Sequence, residues 1–130
     1  SVTTQGPFLL SLPNVVHLAT DVHARLGEAH LLDLVAALHP TAAVCGTPRD
    51  AAMRLIEELE DTERGRYSGP VGWVDTAGDG EFAIAVRCGL PSGTRLRLFA
   101  GAGIMPDSDP DAELAETEAK MRPLLDALGV

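Results

Sequence analysis

The segment from Leu98 to Lys120, LFAGAGIMPDSDPDAELAETEAK, constrains the fold of this chain more than any other. It contains the end of an apolar strand at Ala100, a turn of small residues at 101–103, an acidic loop and a helix. Asp109 followed by Pro110 is typical of a helix start, because the carboxylate can accept a backbone N–H bond and proline suits the first helical position. The segment therefore predicts a strand that leads through a small-residue turn into a helix.

The predicted helix has two different faces. Glu113, Glu116 and Lys120 share one face, at spacings i, i+3 and i+7. A separate apolar stripe is expected to face the core, formed by Leu114, Met121, Leu125 and Leu128. Two carboxylates and an ammonium beside a turn of small residues suit a hard cation and a small anionic ligand. The same spacing fits a solvated face with an ordinary i, i+4 pair, and spacing alone favours that second interpretation.

The first half of the chain predicts strands and then two helices. The polar start, 1–6, is expected to be frayed, and Pro13-Asn14 marks a turn after an apolar segment. Alternation from Val15 predicts a strand that can continue to Leu26. Within it, a lone histidine at His17 is more typical of a packed residue than of a ligand.

Two helical patterns follow this strand. The first covers 29–38 and must end before Pro40, which disfavours helix in the residue before it. Thr47 is expected to cap the second helix, with Pro48 at its first position.

The second half predicts an antiparallel meander. Three strands, at 71–75, 81–88 and 94–100, are separated by short turns that contain glycine. The middle strand alternates clearly, and its Arg87 fits either a site or a solvent edge equally well. We therefore expect an α+β fold in which one antiparallel sheet carries three helices on one face.

Composition limits the classes of partner. The chain has 19 acidic and 10 basic residues, a net charge of −9, and no cluster of lysine and arginine. This balance argues against nucleic acid and anionic membrane as partners. The two cysteines have no framework spacing, and no apolar run reaches the length of a membrane span. We expect a soluble, cytoplasmic chain in which residues 1–130 belong to one domain.

Several motifs, taken in order along the chain, resemble those of the chorismate-utilising enzymes. They are His39-Pro40-Thr41 with Gly46-Thr47-Pro48, YSGPVGW at 67–73, the strand 81–87, FAGAGI at 99–104, and 113–120 with Glu116-Thr117 at its centre. Several motifs in register are more specific than any one of them. Within the family, the chain is most similar to isochorismate synthases, because salicylate and anthranilate synthases tend to carry threonine where Ala43 stands.

The resemblance implies a magnesium-dependent site for chorismate. Glu116 matches a magnesium ligand and Glu113 a second carboxylate near the same ion. Arg87 matches an arginine that binds the enolpyruvyl carboxylate of the substrate. The other matched positions would bind substrate: Tyr67 at the same carboxylate, Gly101 and Gly103 through backbone amides, Lys120 near the ring carboxylate, His17 beside the ring, and Ala43 in the pocket wall.

The reaction implied is that of an isomerase. Water adds at one ring carbon of chorismate while hydroxide leaves another, and the product is isochorismate, a precursor in siderophore, salicylate or menaquinone synthesis. The general base lysine, the general acid glutamate and one metal-binding glutamate of the family lie upstream of Ser1. The chain is thus expected to be a C-terminal part of the family's α/β sandwich, and inactive alone.

Two kinds of alternative stay open. One is the salicylate or anthranilate synthase branch of the same family. The other is a module that binds a small dicarboxylate without turnover, or merely a stable folded fragment. The expected partners are chorismate or isochorismate, together with the missing N-terminal portion or a second copy paired through exposed sheet surface.

Overall fold

The computed structural model describes residues 2–4, 6–12 and 15–130. The chain divides into two compact units, residues 1–30 and 31–130, which are described separately. No helix in the described part of the chain has the length and apolar character needed to cross a membrane.

The first unit consists of two antiparallel strand pairs. Strand β2 (Phe8–Leu12) pairs with β3 (Val15–Ala19), and β1 (Val2–Thr4) pairs with β4 (Val22–Ala24). The expected fraying of 1–6 is wrong for Val2–Thr4, because these residues form β1 and pair with β4. Ser1 and Gln5 lie outside the described residues. The strand expected to run from Val15 to Leu26 is also wrong, because it is interrupted at Thr20 and Asp21, and aspartate is depleted in strands. The predicted turn at Pro13-Asn14 lies outside the described residues.

The second unit begins with two helices, α1 (Leu31–Leu38) and α2 (Arg49–Leu59). Helix α1 begins two residues later than predicted and ends at Leu38 as predicted, and α2 begins one residue after its predicted first position, Pro48. The predicted cap of α2 is wrong, because the N-cap residue is Pro48 and no side chain bonds the first turn. Thr47 lies one residue too far from the helix to reach the N–H groups of that turn.

Four strands follow, as two separate hairpins. Strand β5 (Pro70–Val74) pairs with β6 (Gly80–Ile84), and β7 (Cys88–Ser92) pairs with β8 (Arg95–Phe99). The α+β class and the antiparallel pairing are confirmed. The placement of these strands in one sheet differs from the structure, in which they form two ladders.

The chain between β6 and β7 explains this division. Ala85 N–H donates to Gly69 O, and Ser68 N–H donates to Ala85 O, both at 2.8 Å, which extends the first hairpin past its strand ends. Arg87 then adopts φ +49°, in the left-handed region. The backbone therefore turns away before Cys88, and β7 begins a new ladder instead of continuing the first.

Helix α3 (Pro110–Leu128) matches its prediction closely. Asp109 Oδ1 accepts a 2.9 Å hydrogen bond from Ala112 N–H, and Pro110 opens the helix. Gly129 ends the helix at φ 74°, the left-handed conformation that favours glycine. The helix contacts β8, so the turn between them lies at their junction.

Apolar side chains are exposed throughout the described residues. No described hydrophobic residue is buried, and Ser68 is the buried polar residue, at 8% exposure. Trp73 is 56% exposed and Leu114 is 60% exposed. The apolar stripe of α3 was expected to face a core; Met121 and Leu125 are half-buried, but Leu114 and Leu128 are exposed because the described chain supplies no layer to cover them. Surfaces of this kind are typical of interfaces.

Candidate functional site

Lys120 connects α3 to the glycine turn that follows β8. Its Nζ donates a 3.1 Å hydrogen bond to Gly101 O and forms an ion pair with Glu116 on the preceding helical turn. The Lys120 side chain is 24% exposed, whereas that of Glu116 is 54% exposed. Lys120 therefore contacts two other residues predicted for the site, and its ammonium bridges a backbone carbonyl and a carboxylate.

Glu113 lies one turn earlier on α3 and has a different partner. Its Oε1 accepts a 2.5 Å hydrogen bond from Ser108 Oγ, and Ser108 Oγ accepts one of 3.0 Å from Met105 N–H. Glu113 thus holds the acidic loop that links the glycine turn to the helix. Ser108 is a site residue that sequence reasoning missed, and its position just before Asp109 gave no signal for it.

Tyr67, which precedes β5 in the chain, lies beside the same glycine turn. Its ring stacks on Phe99 with centroids 5.2 Å apart and planes 14° apart. A methyl group added at Gly101 would lie 2.7 Å from the Tyr67 hydroxyl oxygen, whereas one added at Gly103 would have nothing within 4 Å. Gly101 is therefore required for the close approach of Tyr67, and Gly103 is open.

Arg64 contacts the C-terminal end of α2, the loop before α2 and the Tyr67 ring. Its Nε and Nη2 donate to the two Glu60 carboxylate oxygens at 2.8 and 2.5 Å, and Nη1 donates to Val44 O at 2.8 Å. Its guanidinium carbon lies 5.8 Å from the centre of the Tyr67 ring. The hydrogen bond from Arg64 lowers the pKa of Glu60, and the same bond raises the pKa of Arg64, while partial burial opposes both shifts. Sequence reasoning missed Arg64, although its i, i+4 spacing from Glu60 was a usable signal.

A cavity of about 580 Å³ lies beside this cluster. Val44, Arg64 and Tyr67 line it together with the apolar side chains of α2. Four carboxylates also lie in its wall, those of Glu57, Glu60, Asp61 and Glu63. These carboxylates outnumber the Arg64 guanidinium, which is itself paired with Glu60, so the wall disfavours a dicarboxylate and we place the candidate site at the Lys120 group beside the cavity.

The remaining predicted residues are placed as follows. Ala43 is exposed and precedes Val44, whose carbonyl binds Arg64. Arg87 is exposed after β6, and the contacts of the described residues do not join it or Gly103 to the Lys120 group. His17 lies on β3 of the first unit, opposite Leu10, and its side chain is exposed. The structure thus brings together Tyr67, Gly101, Glu116 and Lys120.

The donors on α3 fit a part of a magnesium shell. Glu113 and Glu116 supply hard carboxylate oxygens from one helix, and magnesium is commonly held by one or two carboxylates with waters and ligand oxygens. Among the described residues, no three of the types His, Cys, Asp and Glu group closely enough to hold a metal alone. Both carboxylates have partners in the chain, Ser108 and Lys120. Any further ligands must come from outside these residues.

Comparison with known proteins places this architecture in a family. The sequence profile described as "Chorismate binding enzyme" matches residues 2–129, and the chain belongs to that family. Among individual relatives, it is 46% identical over 95% of its length to the isochorismate synthase MenF of Bacillus subtilis (strain 168). It is 45% identical over 97% of its length to the isochorismate synthase DhbC of the same organism.

A solved structure gives the same result for the fold. The chain aligns over 99% of its length, with a TM-score of 0.90 and 39% identity, to DhbC from Bacillus anthracis, a protein assigned as a 2,3-dihydroxybenzoate-specific isochorismate synthase. The resemblance inferred from the motifs is therefore confirmed. The chain spans only 26% of MenF, 32% of the Bacillus subtilis DhbC and 35% of the solved chain.

Proposed function

We propose that this chain is the carboxylate- and metal-binding part of a magnesium-dependent isochorismate synthase. The observation that carries the proposal is the contact series Tyr67–Gly101–Lys120–Glu116, in a chain whose relatives are named isochorismate synthases. It gathers a phenol, an ammonium and a carboxylate around a turn of small residues. Such a group can hold an anionic ligand next to a hard cation.

The residues of this chain would bind and orient chorismate. The Lys120 ammonium attracts the ring carboxylate, and the glycine turn, in which Gly101 and Gly103 are exposed, offers backbone N–H groups to it. Arg87 has the planar fork that binds a carboxylate in bidentate fashion, which suits the enolpyruvyl group. Glu113 and Glu116 would hold magnesium, which when bound supplies positive charge that stabilises oxygen anions.

Proton transfer is the part that this chain does not supply in the proposal. A base removes a proton from water as its oxygen bonds to the ring, and an acid protonates the hydroxyl that departs as water. Each positioned acid or base typically contributes roughly 10²–10⁴-fold in rate. We assign both groups to sequence beyond these 130 residues, because the relatives are about three to four times as long.

The proposal is tested with a chimera in which this chain replaces the matching segment of Bacillus subtilis DhbC. Isochorismate is measured through a coupled isochorismate-consuming enzyme, and salicylate and anthranilate are separated by chromatography. The chimera should form isochorismate only with magnesium, and the 130-residue chain alone should form none.

Two variants sharpen this test. Glu116→Gln should abolish turnover by weakening the metal site, whereas Arg54→Gln, on the exposed face of α2, should retain it. Formation of salicylate or anthranilate would assign the chain to another branch of the family. A soluble, monodisperse chimera without any turnover would contradict the enzyme function and favour a module that only binds a dicarboxylate.

A further inference from the structure

We propose that Arg64 is a positioning residue for this reaction, because one guanidinium sets both the Tyr67 ring and the backbone of the loop at 41–46. The inference rests on the proposed function, since it assigns Arg64 to the site which that function requires. Arg64 is not expected to touch the substrate. It acts through Tyr67 and through the loop that contains Ala43.

The planar guanidinium of Arg64 donates hydrogen bonds to two different parts of the chain. Two of its nitrogens bind Glu60, just beyond the end of α2, while Nη1 binds Val44 O, 20 residues earlier in the chain. A planar guanidinium can make both contacts at once because its donors diverge in one plane. A lysine ammonium has the same charge but cannot reproduce this fork. The loop position thus depends on the shape of the side chain as well as on its charge.

The same group also restrains the tyrosine. The guanidinium carbon lies over the Tyr67 ring, 5.8 Å from its centre. The main chain also joins the two residues, because Tyr67 N–H donates to the Arg64 carbonyl at 2.9 Å, a bond that Arg64→Lys leaves in place. The ring stacks in addition on Phe99, the last residue of β8. These contacts bring the hydroxyl to Gly101, whose carbonyl accepts the bond from Lys120. A displaced guanidinium would therefore shift the tyrosine hydroxyl and the Ala43 loop together.

The competing explanation is that Arg64 only stabilises the C-terminal end of α2 through its bonds to Glu60. In that case, substitution of Arg64 would lower thermal stability and leave the geometry around Tyr67 unchanged. The two explanations differ in what happens to substrate binding and to the tyrosine. Both quantities can be measured in the same protein.

The experiment uses the DhbC chimera with Arg64→Lys, and Arg54→Lys on α2 as the matched control. Loss of one or two hydrogen bonds should raise the KM for chorismate roughly threefold to tenfold. The kcat should change by less than about twofold, because no acid or base is removed. Arg54→Lys should alter neither constant.

Fluorotyrosine labelling gives a readout that does not depend on turnover. The chain contains one tyrosine, so its ¹⁹F resonance in the chimera is assigned by its loss in Tyr67→Phe. Arg64→Lys should move or broaden that resonance, and Arg54→Lys should not. If Arg64→Lys does not yield soluble protein, Glu60→Gln removes one side of the fork and should produce a smaller shift of the same kind.

The outcomes separate this inference from the function on which it rests. An unchanged KM together with an unchanged tyrosine resonance would overturn the positioning role, whatever happens to the thermal midpoint. If the parent chimera has no turnover, the proposed function fails. The ¹⁹F comparison would still decide whether Arg64 sets the position of Tyr67.

Discussion

The most direct test of the site geometry is the substitution Gly101→Ala. The added methyl carbon would lie 2.7 Å from the Tyr67 hydroxyl, while ordinary contact begins at 3.4 Å, so the two atoms must separate by about 0.7 Å. The Tyr67 ring is stacked on Phe99 and lies beneath Arg64, which limits how far it can yield. Gly101 is not in a left-handed conformation, so the effect is steric and adds no backbone strain.

The expected change in stability follows from two opposing effects. Overpacking of this kind typically lowers the free energy of unfolding by about 1–3 kcal/mol. Replacement of glycine by alanine raises it by about 0.4–1 kcal/mol, because alanine reduces the conformational entropy of the unfolded chain. We therefore expect a net loss of about 1–2 kcal/mol in stability. A displacement approaching 1 Å can lower catalysis up to ~10²-fold, so kcat/KM of the chimera should fall by roughly one to two orders of magnitude.

Two matched controls test whether the effect of Gly101→Ala is steric. Gly103→Ala places a methyl group in open space and should leave the ¹⁹F resonance of Tyr67 unchanged, whereas Gly101→Ala should shift it. Tyr67→Phe removes the clashing oxygen, and the next ring atom is at an ordinary 3.9 Å. In that background, Gly101→Ala should no longer lower the thermal midpoint. Equal effects of Gly101→Ala in both backgrounds would refute the steric reasoning.

Four further predictions concern the metal, the acid range, the helix caps and association. Calorimetric titration of the chain with magnesium chloride should show no tight binding, because Glu113 and Glu116 form no three-ligand cluster in the described residues; a tight site would contradict this. Arg64 lowers the pKa of Glu60, so the stabilisation from the Glu60 carboxylate is complete above the pKa of the unfolded chain, near 4.5, and is lost as the pH falls through the lower pKa of the folded chain. Glu60→Gln should therefore flatten the decline of the chimera's thermal midpoint at acid pH. Asp109→Ala should destabilise the chimera by about 1 kcal/mol in urea, while Thr47→Ala, which caps nothing, should be neutral; equal losses would be inconsistent with the observed caps. The isolated chain should self-associate through its exposed apolar residues, and sedimentation as a strict monomer at high concentration would argue against this.

The hairpin at 88–99 shows where local patterns mislead. The segment between the expected strands 81–88 and 94–100 was expected to be a short turn, yet its residues Pro91 and Ser92 lie in β7, with Pro91 opposite Leu96. Proline lacks the N–H that a central strand needs, but each strand of a two-stranded ladder is an edge and tolerates it. The number of strands was therefore underestimated, because the sequence does not state how many neighbours a strand has.

Local features of this protein were determined by the sequence alone. The start of α3 at Asp109-Pro110, the Glu116–Lys120 pair and the alternation of β6 all follow from interactions within four residues, which the order of residues specifies directly. The motifs likewise sufficed to identify the family. Only the tertiary structure decided that Arg64 binds Val44 and that Lys120 binds Gly101, contacts that span 20 and 19 residues. Such pairs depend on how whole elements pack, and no local pattern encodes the distance between them.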